Sequence, residues 1–413
     1  MADKKTDIRN IILHIIEGGF FMGGMVFLDQ YTIMIGYMRQ ITRNPLLISL
    51  IPASLVIGFN VSGLLTVHIV QKIHNKHLFI VITGFFQRLM ILFLVFFTIS
   101  LGHFTPLVSG LISALIYFLF SGIGGISVPA WLDLLSRTVP SGRRSRVVAI
   151  RNAIGAGTGI VFPVLIAYIL RTFAFPGNYR ILFIIAFVFL MISWMAFIFI
   201  NDHDAPAVNE TSNSRFSAFI KSLPAEDPNF LRFLISRVIF SFCIITMTFH
   251  TVYFFSKNEG IDDTIVASFA LALNISKIAG GLFLGYIGDR KGNVSVYKIG
   301  ILMIIPTNLL MIYSPSIPAV YIVFILFGMT IAADLNTTQS FLGEFGNRNN
   351  RIFYTTMGSS VAGIFTGFLP IAAGALLKFR IIEFNTLFIF CAVLALICYI
   401  YVSKSLRDPS RIS

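Results

Sequence analysis

The amino-acid sequence predicts an all-α polytopic membrane protein with twelve transmembrane helices, divided into two six-helix halves. Of its 413 residues, 56% are apolar and only 12% are charged, whereas soluble globular proteins carry about 25% charged residues. The apolar residues come in blocks of roughly 20, the length that a helix needs to cross a hydrocarbon core of about 30 Å. This composition does not fit a soluble fold.

Six apolar blocks precede the longest polar segment of the chain, and six follow it. The first six predicted spans lie at about 11–36, 46–70, 78–101, 105–131, 147–172 and 181–200. The second six lie at about 230–256, 264–286, 295–313, 318–343, 352–377 and 384–403. We therefore predict an N-terminal half at 1–201, a cytoplasmic linker at 202–229 and a C-terminal half at 230–413.

The basic residues predict the orientation of the chain in the membrane. With a cytoplasmic N-terminus, the polar segments on that side hold 21 Lys and Arg residues, and the opposite side holds 7. Because cytoplasmic loops are enriched in these residues, we expect both termini to lie in the cytoplasm. The membrane is then expected to be the cell (inner) membrane. The net charge of +13 then reflects orientation and contact with anionic lipid, and no nucleic-acid partner is expected. The three cysteines lie in predicted spans as apolar packing residues, and no metal or cofactor is implied.

The link between the second and third spans of the C-terminal half carries a specific pattern. Gly285, Asp289, Arg290 and Gly292 form Gly-x-x-x-Asp-Arg-x-Gly. Gly285 would let two helices approach closely, and Gly292 would permit a tight turn. Together with twelve spans and a central linker, this loop resembles the signature loop of the major facilitator superfamily. The resemblance implies two pseudo-symmetric six-helix bundles around a central cavity.

The resemblance also implies that this loop latches the cytoplasmic ends of two helices. Asp289 would accept hydrogen bonds from the helix that begins near residue 352, because a helix dipole favours an anion at that end. Arg290 would pair with Glu344. The alternative is a solvated turn with ordinary cytoplasmic charges.

A second cytoplasmic cluster is predicted between spans four and five. Asp133 is followed by the bases Arg137, Arg143, Arg144, Arg146 and Arg151. We expect an ion-pair cluster around Asp133 and Arg151, since Arg151 already lies inside span five. For the outer arginines the alternative is a set of exposed bases.

Six charged residues fall well inside predicted spans, and near the middle of a span each costs about 2.5–3.5 kcal/mol unless it has a partner or a wet cavity. They are Glu17, Asp29, Arg88, Arg237, Lys277 and Asp334. The resemblance places spans one, seven and ten, which hold four of the six, around the cavity. Helical spacing puts Ser241 and Thr248 on the face of Arg237, and Thr338 lies one turn beyond Asp334. These polar faces predict a substrate cavity that also includes Lys277; the alternative is interhelical hydrogen bonding without substrate contact.

Asp29 and Asp334 are the first candidates for proton carriers. A carboxylate in a low-dielectric cavity can bind and release a proton as access to the cavity alternates. Glu17, which lies nearer the cytoplasm, is the third candidate and could instead pair with a base. Arg237 and Lys277 could neutralise these acids or hold an anionic substrate.

These features predict a secondary active transporter that moves a small-molecule substrate by alternating access and is coupled to protons. We expect it to work as a monomer in the lipid bilayer. The alternative is a substrate sensor that has the same fold but does not transport. A primary pump is disfavoured because the chain has no Gly-rich nucleotide loop ending in Lys-Ser/Thr, and an enzyme is disfavoured because catalytic motifs and long loops are absent.

Overall fold

The computed structural model describes residues 2–73, 75–202, 227–258, 261, 264–345 and 351–408. Within these ranges all regular structure is helical. The predicted all-α fold class is confirmed.

The helices of the N-terminal half follow the predicted spans closely, apart from the first. They are α1 (Ala2–Val26), α2 (Ile33–Ile41), α3 (Pro45–Lys72), α4 (Lys76–Ser100), α5 (Pro106–Thr138), α6 (Ser141–Thr172) and α7 (Gly177–Ile198). A short 3-10 helix, Leu101–His103, follows α4.

The C-terminal half repeats this plan. Its helices are α8 (Pro228–Cys243), α9 (His250–Lys257), α10 (Ile265–Lys291), α11 (Asn293–Tyr313), α12 (Ile317–Glu344), α13 (Arg351–Lys378) and α14 (Phe384–Ser405). A 3-10 helix, Ile245–Thr248, lies between α8 and α9.

Capping residues explain several of the helix starts. The Asn75 side chain accepts a hydrogen bond from the Leu78 amide at the start of α4 (2.9 Å), and the Asp227 side chain accepts one from the Phe230 amide at the start of α8 (3.0 Å). Each bond satisfies one of the amides that a helix N-terminus leaves without an intrahelical partner. Pro228 follows its cap directly, a position where the missing amide hydrogen costs nothing.

Eleven helical segments of the described chain are long and apolar enough to cross a membrane, and they correspond to predicted spans two to twelve. The first predicted span is different. Its helix α1 contains Arg9, His14 and Glu17 together with four glycines, and it ends at Val26. The polar content and the early end explain why span one is the weakest apolar segment.

Spans one and seven are both interrupted near their middle, which the sequence did not predict. Residues 27–32 separate α1 from α2, and residues 244–249 separate α8 from α9. Prediction by apolar length cannot detect such breaks. It measures how apolar a segment is, and it does not test whether the helix is continuous.

The chain forms two compact units with related internal packing. One unit contains residues 1–42 and 54–210, and the other contains 43–53 and 211–413. In the first unit α1 packs against α6 and α7, and α4 packs against α5 and α7. In the second unit α8 packs against α13 and α14, and α11 packs against α12 and α14. The same pairs of helices, counted from the start of each half, therefore meet in both units.

The predicted half boundaries at 1–201 and 230–413 remain a prediction. The observed grouping differs at 43–53, the first turns of α3, which belong with the second unit. Most of the predicted linker, residues 203–226, lies outside the described residues.

Candidate functional site

The first unit contains a buried ion pair between α1 and α6. The Arg151 Nη1 and Glu17 Oε2 atoms are 2.5 Å apart, and the side chains are only 8% and 5% exposed. Arg151 Nη1 also donates a hydrogen bond to the His14 carbonyl oxygen (3.1 Å). Its guanidinium lies over the Trp131 ring, 4.8 Å from the ring centroid. The guanidinium therefore has a carboxylate, a carbonyl and an aromatic face as partners.

Gly18 makes the room that this arrangement needs. A Cβ atom at this position would overlap the Nε and Cζ atoms of Arg151. Because Glu17 and Trp131 hold the guanidinium in place, it could move away only by losing those contacts. The Glu17-Gly18 sequence thus supplies both the anion and the space for its partner.

The second unit contains an ion pair of reversed polarity between α8 and α12. Here the base, Arg237, lies on the first helix of the half, and the acid, Asp334, lies on the partner helix. The two side chains make an Nη1–Oδ1 ion pair and are 10% and 22% exposed, respectively. Sequence analysis left open which base meets which acid, and the structure shows that Arg237 meets Asp334.

Two hydrogen bonds connect the Arg237 main chain to Ser241 and Thr366. Ser241 Oγ donates to the Arg237 carbonyl oxygen (2.9 Å), and Thr366 Oγ1 donates to Ser241 Oγ (3.1 Å). Within the described residues, the buried atoms Arg237 Nε and Thr338 Oγ1 have no hydrogen-bond partner. Buried polar atoms are usually paired, so these two could bind a solute or water. Sequence analysis missed Thr366, which lies among apolar residues and glycines of span eleven.

Lys277 and Thr248, the other candidates for the substrate cavity, lie elsewhere in the second unit. Lys277 is half-buried on α10, and its ammonium makes no ion pair in the part of the chain that the structure describes. Thr248 is buried at the interruption between α8 and α9. The structure does not join either of them to the Arg237–Asp334 pair by a direct hydrogen bond.

Asp29 lies in the interruption between α1 and α2. Its Oδ1 atom accepts hydrogen bonds from the Tyr31 amide (3.0 Å), the Thr32 amide (2.9 Å) and the Thr32 hydroxyl (2.7 Å). The Tyr117 hydroxyl donates to the Leu28 carbonyl oxygen at the same break (2.7 Å). Asp29 thus stabilises the turn before α2. The spacing Asp-x-x-Thr, which is typical of a helix start, was the available signal for this break. Its role as a proton carrier remains a prediction.

The ion-pair cluster predicted between spans four and five forms with other partners. Asp133 pairs with Lys76 and Arg137, each at 3.1 Å, and Arg137 also contacts Asp202 at 2.8 Å. Arg151 is not in this cluster, so the predicted grouping of Asp133 with Arg151 is wrong. The reason is depth: Arg151 lies ten residues after the start of α6 at Ser141, which is about 15 Å along a helix.

The signature loop forms a tight turn between α10 and α11. Gly292 has φ 85°, a conformation that strongly favours glycine. A Cβ atom at Gly285 would meet Asn336 only at 3.9 Å, so the expected close helix approach does not depend on this glycine. Next to this turn, the Val294 amide at the start of α11 donates a hydrogen bond to the Asp408 carboxylate (3.2 Å).

The latch itself remains a prediction. Asp289 is exposed, and its carboxylate makes no hydrogen bond or ion pair within the described residues. The Arg290 guanidinium lies 4.4 Å from the centroid of the Tyr286 ring. The Glu344 side chain and the side chains at 351–353 lie outside the part of the chain whose side chains are described.

Comparisons with known proteins agree with this architecture. The family model of the Major Facilitator Superfamily matches residues 18–280 and 260–412. No curated protein matches the sequence. Among solved structures, the nucleoside transporter NupG has a TM-score of 0.67 and 13% identity, covering 96% of this chain and 98% of its own. A variant of that transporter has a TM-score of 0.69 and 14% identity, covering 97% of this chain and 100% of its own.

A D-xylose-proton symporter is similar to the same degree. It has a TM-score of 0.71 and 12% identity, and the match covers 97% of this chain and 98% of the symporter. At such identities the likeness is one of fold.

Proposed function

The chain belongs to the major facilitator superfamily, and we propose that it is a secondary active transporter that moves a small polar solute by alternating access, coupled to protons. Its family and its structural neighbours indicate a transporter rather than an enzyme. Its eleven apolar spans indicate an integral, multi-pass membrane protein. The coupling, the solute and the mechanism are the parts that we propose.

The Arg237–Asp334 pair is the observation that supports this proposal most strongly. The Asp334 side chain is 22% exposed, and we propose that this exposed part faces a water-filled transport path. Two buried polar atoms have no hydrogen-bond partner within the described residues. Arg237 Nε belongs to the pair itself, and Thr338 Oγ1 lies one helical turn beyond Asp334. A solute hydroxyl could bind to them, while protonation of Asp334 would weaken the ion pair. Binding and protonation would then depend on each other through Arg237.

The proposed solute is neutral and rich in hydroxyl groups. Arg237 is already balanced by Asp334, so a strongly anionic solute would leave the site with excess negative charge. The free groups are a guanidinium donor and a threonine hydroxyl, which suit hydroxyl oxygens. The neighbours named for a nucleoside and for D-xylose suggest these two solute types as the first to test.

The interrupted helices support the alternating-access part of the proposal. Spans one and seven, the equivalent helices of the two halves, both break near their middle. Broken helices can change the direction of one segment without unfolding the other.

We also propose that the protein lies in the cell (inner) membrane with both termini in the cytoplasm, and that the working unit is a monomer. The excess of Lys and Arg on the cytoplasmic side supports this orientation.

Transport by the purified protein in proteoliposomes tests the proposal. With a nucleoside or D-xylose as solute, the wild-type protein should accumulate solute when a pH gradient is imposed. Asp334→Asn should abolish this accumulation but keep solute exchange, because exchange needs no net proton movement. Glu17→Gln serves as the matched control, since it removes the other buried carboxylate that pairs with an arginine.

The outcomes separate the possibilities. Loss of accumulation with Glu17→Gln alone, in protein that still exchanges solute, would move the coupling role to the first unit. Loss of both accumulation and exchange with Asp334→Asn would indicate a binding or folding role for this acid. Solute binding without exchange in the wild-type protein would favour the sensor.

A further inference from the structure

A cleft lies between the first turns of α1 and α6, in the first unit. It has a volume of about 270 Å³ and is lined by Ile8, Ile11, Ile12, Arg143, Arg146, Val147 and Ile150. Five of these seven residues are isoleucine or valine, and Ile8 and Ile12 are each about half exposed (47% and 51%). An apolar cleft that is also lined by two arginines has the composition of an amphiphile-binding site.

The two arginines have free charge. Both are exposed, and neither makes an ion pair within the described residues. Two acids of the neighbouring elements have described side chains, and both have other partners: Glu17 pairs with Arg151, and Asp133 pairs with Lys76 and Arg137. The described side chains that line the cleft therefore carry a net positive charge.

The backbone adds to this positive potential. Arg143 and Arg146 lie in the first two turns of α6, which begins at Ser141. The N-terminal end of a helix attracts anions. An anionic headgroup at this end would thus interact with two guanidinium groups and with the helix dipole.

We propose that this cleft binds an anionic phospholipid of the cytoplasmic leaflet. The lipid phosphate lies between Arg143 and Arg146, and an acyl chain lies along Ile8, Ile12 and Ile150. A free phosphate would satisfy the arginines but would leave the isoleucines exposed to water. A neutral lipid would cover the isoleucines but would leave both positive charges without a partner. Basic clefts between transmembrane helices on the cytoplasmic side select anionic headgroups for the same reason.

Trp131 can report on this site. It packs in one apolar cluster with Ile11 and Val147, two residues that line the cleft. The chain has one other tryptophan, Trp194, so a Trp194→Phe background leaves a single reporter. A lipid with bromine atoms on its acyl chains quenches tryptophan fluorescence on contact. Vesicles of phosphatidylcholine with a small fraction of brominated phosphatidylglycerol, or the same fraction of brominated phosphatidylcholine, provide the comparison.

We expect brominated phosphatidylglycerol to quench Trp131 more than brominated phosphatidylcholine does at equal mole fraction. The double variant Arg143→Gln, Arg146→Gln should lower this preference roughly 10- to 30-fold, because each basic residue at a membrane surface contributes to binding of anionic lipid. The control double variant Lys291→Gln, Lys404→Gln removes the same charge from exposed cytoplasmic positions outside the cleft and should keep the preference. Soluble glycerol phosphate should not reverse the quenching.

Three results would overturn the proposal. The first is equal quenching by the two brominated lipids in the wild-type background. The second is a preference that survives the double arginine variant. The third is full reversal of the quenching by glycerol phosphate, which would indicate a site for a soluble anion.

Discussion

The two units hold the same kind of ion pair in different surroundings. In the first unit, Glu17 and Arg151 are 5% and 8% exposed and lie against the Trp131 ring. In the second unit, Asp334 is 22% exposed, and the guanidinium of its partner Arg237 lies 6.0 Å from the centroid of the Phe240 ring. A buried pair in apolar surroundings cannot exchange protons easily, whereas a partly open pair can. We propose that exposure, rather than the residue types, separates a structural role of the first pair from a coupling role of the second.

The largest expected effect comes from removing the base of each pair. Arg151→Gln leaves Glu17 as a buried charge without a partner, and we expect it to lower the free energy of unfolding by about 3–5 kcal/mol. Arg237→Gln should cost about half as much or less, because water can reach Asp334. Unfolding of the two variants in mixed micelles, followed by tryptophan fluorescence, measures the difference. Equal losses of unfolding free energy would mean that water reaches the two ion pairs to the same extent.

The double variant Glu17→Gln, Arg151→Gln serves as the control for this comparison. It removes both charges, so no unpaired charge remains in the apolar site. Its stability should recover a substantial part of the loss seen with Arg151→Gln alone. Without such recovery, the loss would come from packing of the Arg151 side chain.

A smaller effect is expected from filling the space beside the first pair. Gly18→Ala places a methyl group where the Arg151 guanidinium lies, and we expect a loss of about 1–3 kcal/mol in the free energy of unfolding. Gly157→Ala is the matched control, since no atom lies within 4 Å of a Cβ at that position. It should be neutral or slightly stabilising, because alanine favours the helix. If both variants behave alike, the helix tolerates movement of Arg151 and the pair is less rigid than the structure indicates.

The smallest effect is expected at the break in span one. Asp29→Asn keeps an oxygen that can accept the bonds from residues 31 and 32, so its stability should change little. Asp29→Ala removes the acceptor of these turn hydrogen bonds and should cost about 1 kcal/mol. The same two variants also test the predicted proton role in proteoliposomes. If Asp29 only stabilises the turn, pH-driven accumulation should persist in Asp29→Asn; its loss in that variant would support Asp29 as a proton carrier.

The sequence by itself determined the class of the protein and the existence of its elements. Apolar blocks of about 20 residues are long enough to require the membrane, so spans two to twelve were predictable. The pattern from Gly285 to Gly292, together with the twelve spans and the central linker, indicated the family, and the φ of 85° at Gly292 agrees with the predicted turn. Each of these features depends on residues that are close together in the chain.

Only the tertiary structure decided which charges meet. Sequence analysis grouped Arg151 with Asp133, and the structure pairs it with Glu17, which is 134 positions away in the chain. The breaks at 27–32 and 244–249 were also hidden, because apolar length does not depend on whether a helix is continuous. Burial of an ion pair depends on the neighbouring helices, and those neighbours come from distant parts of the sequence. For this reason the candidate residues could be named from the chain, while their partners and their access to water required the fold.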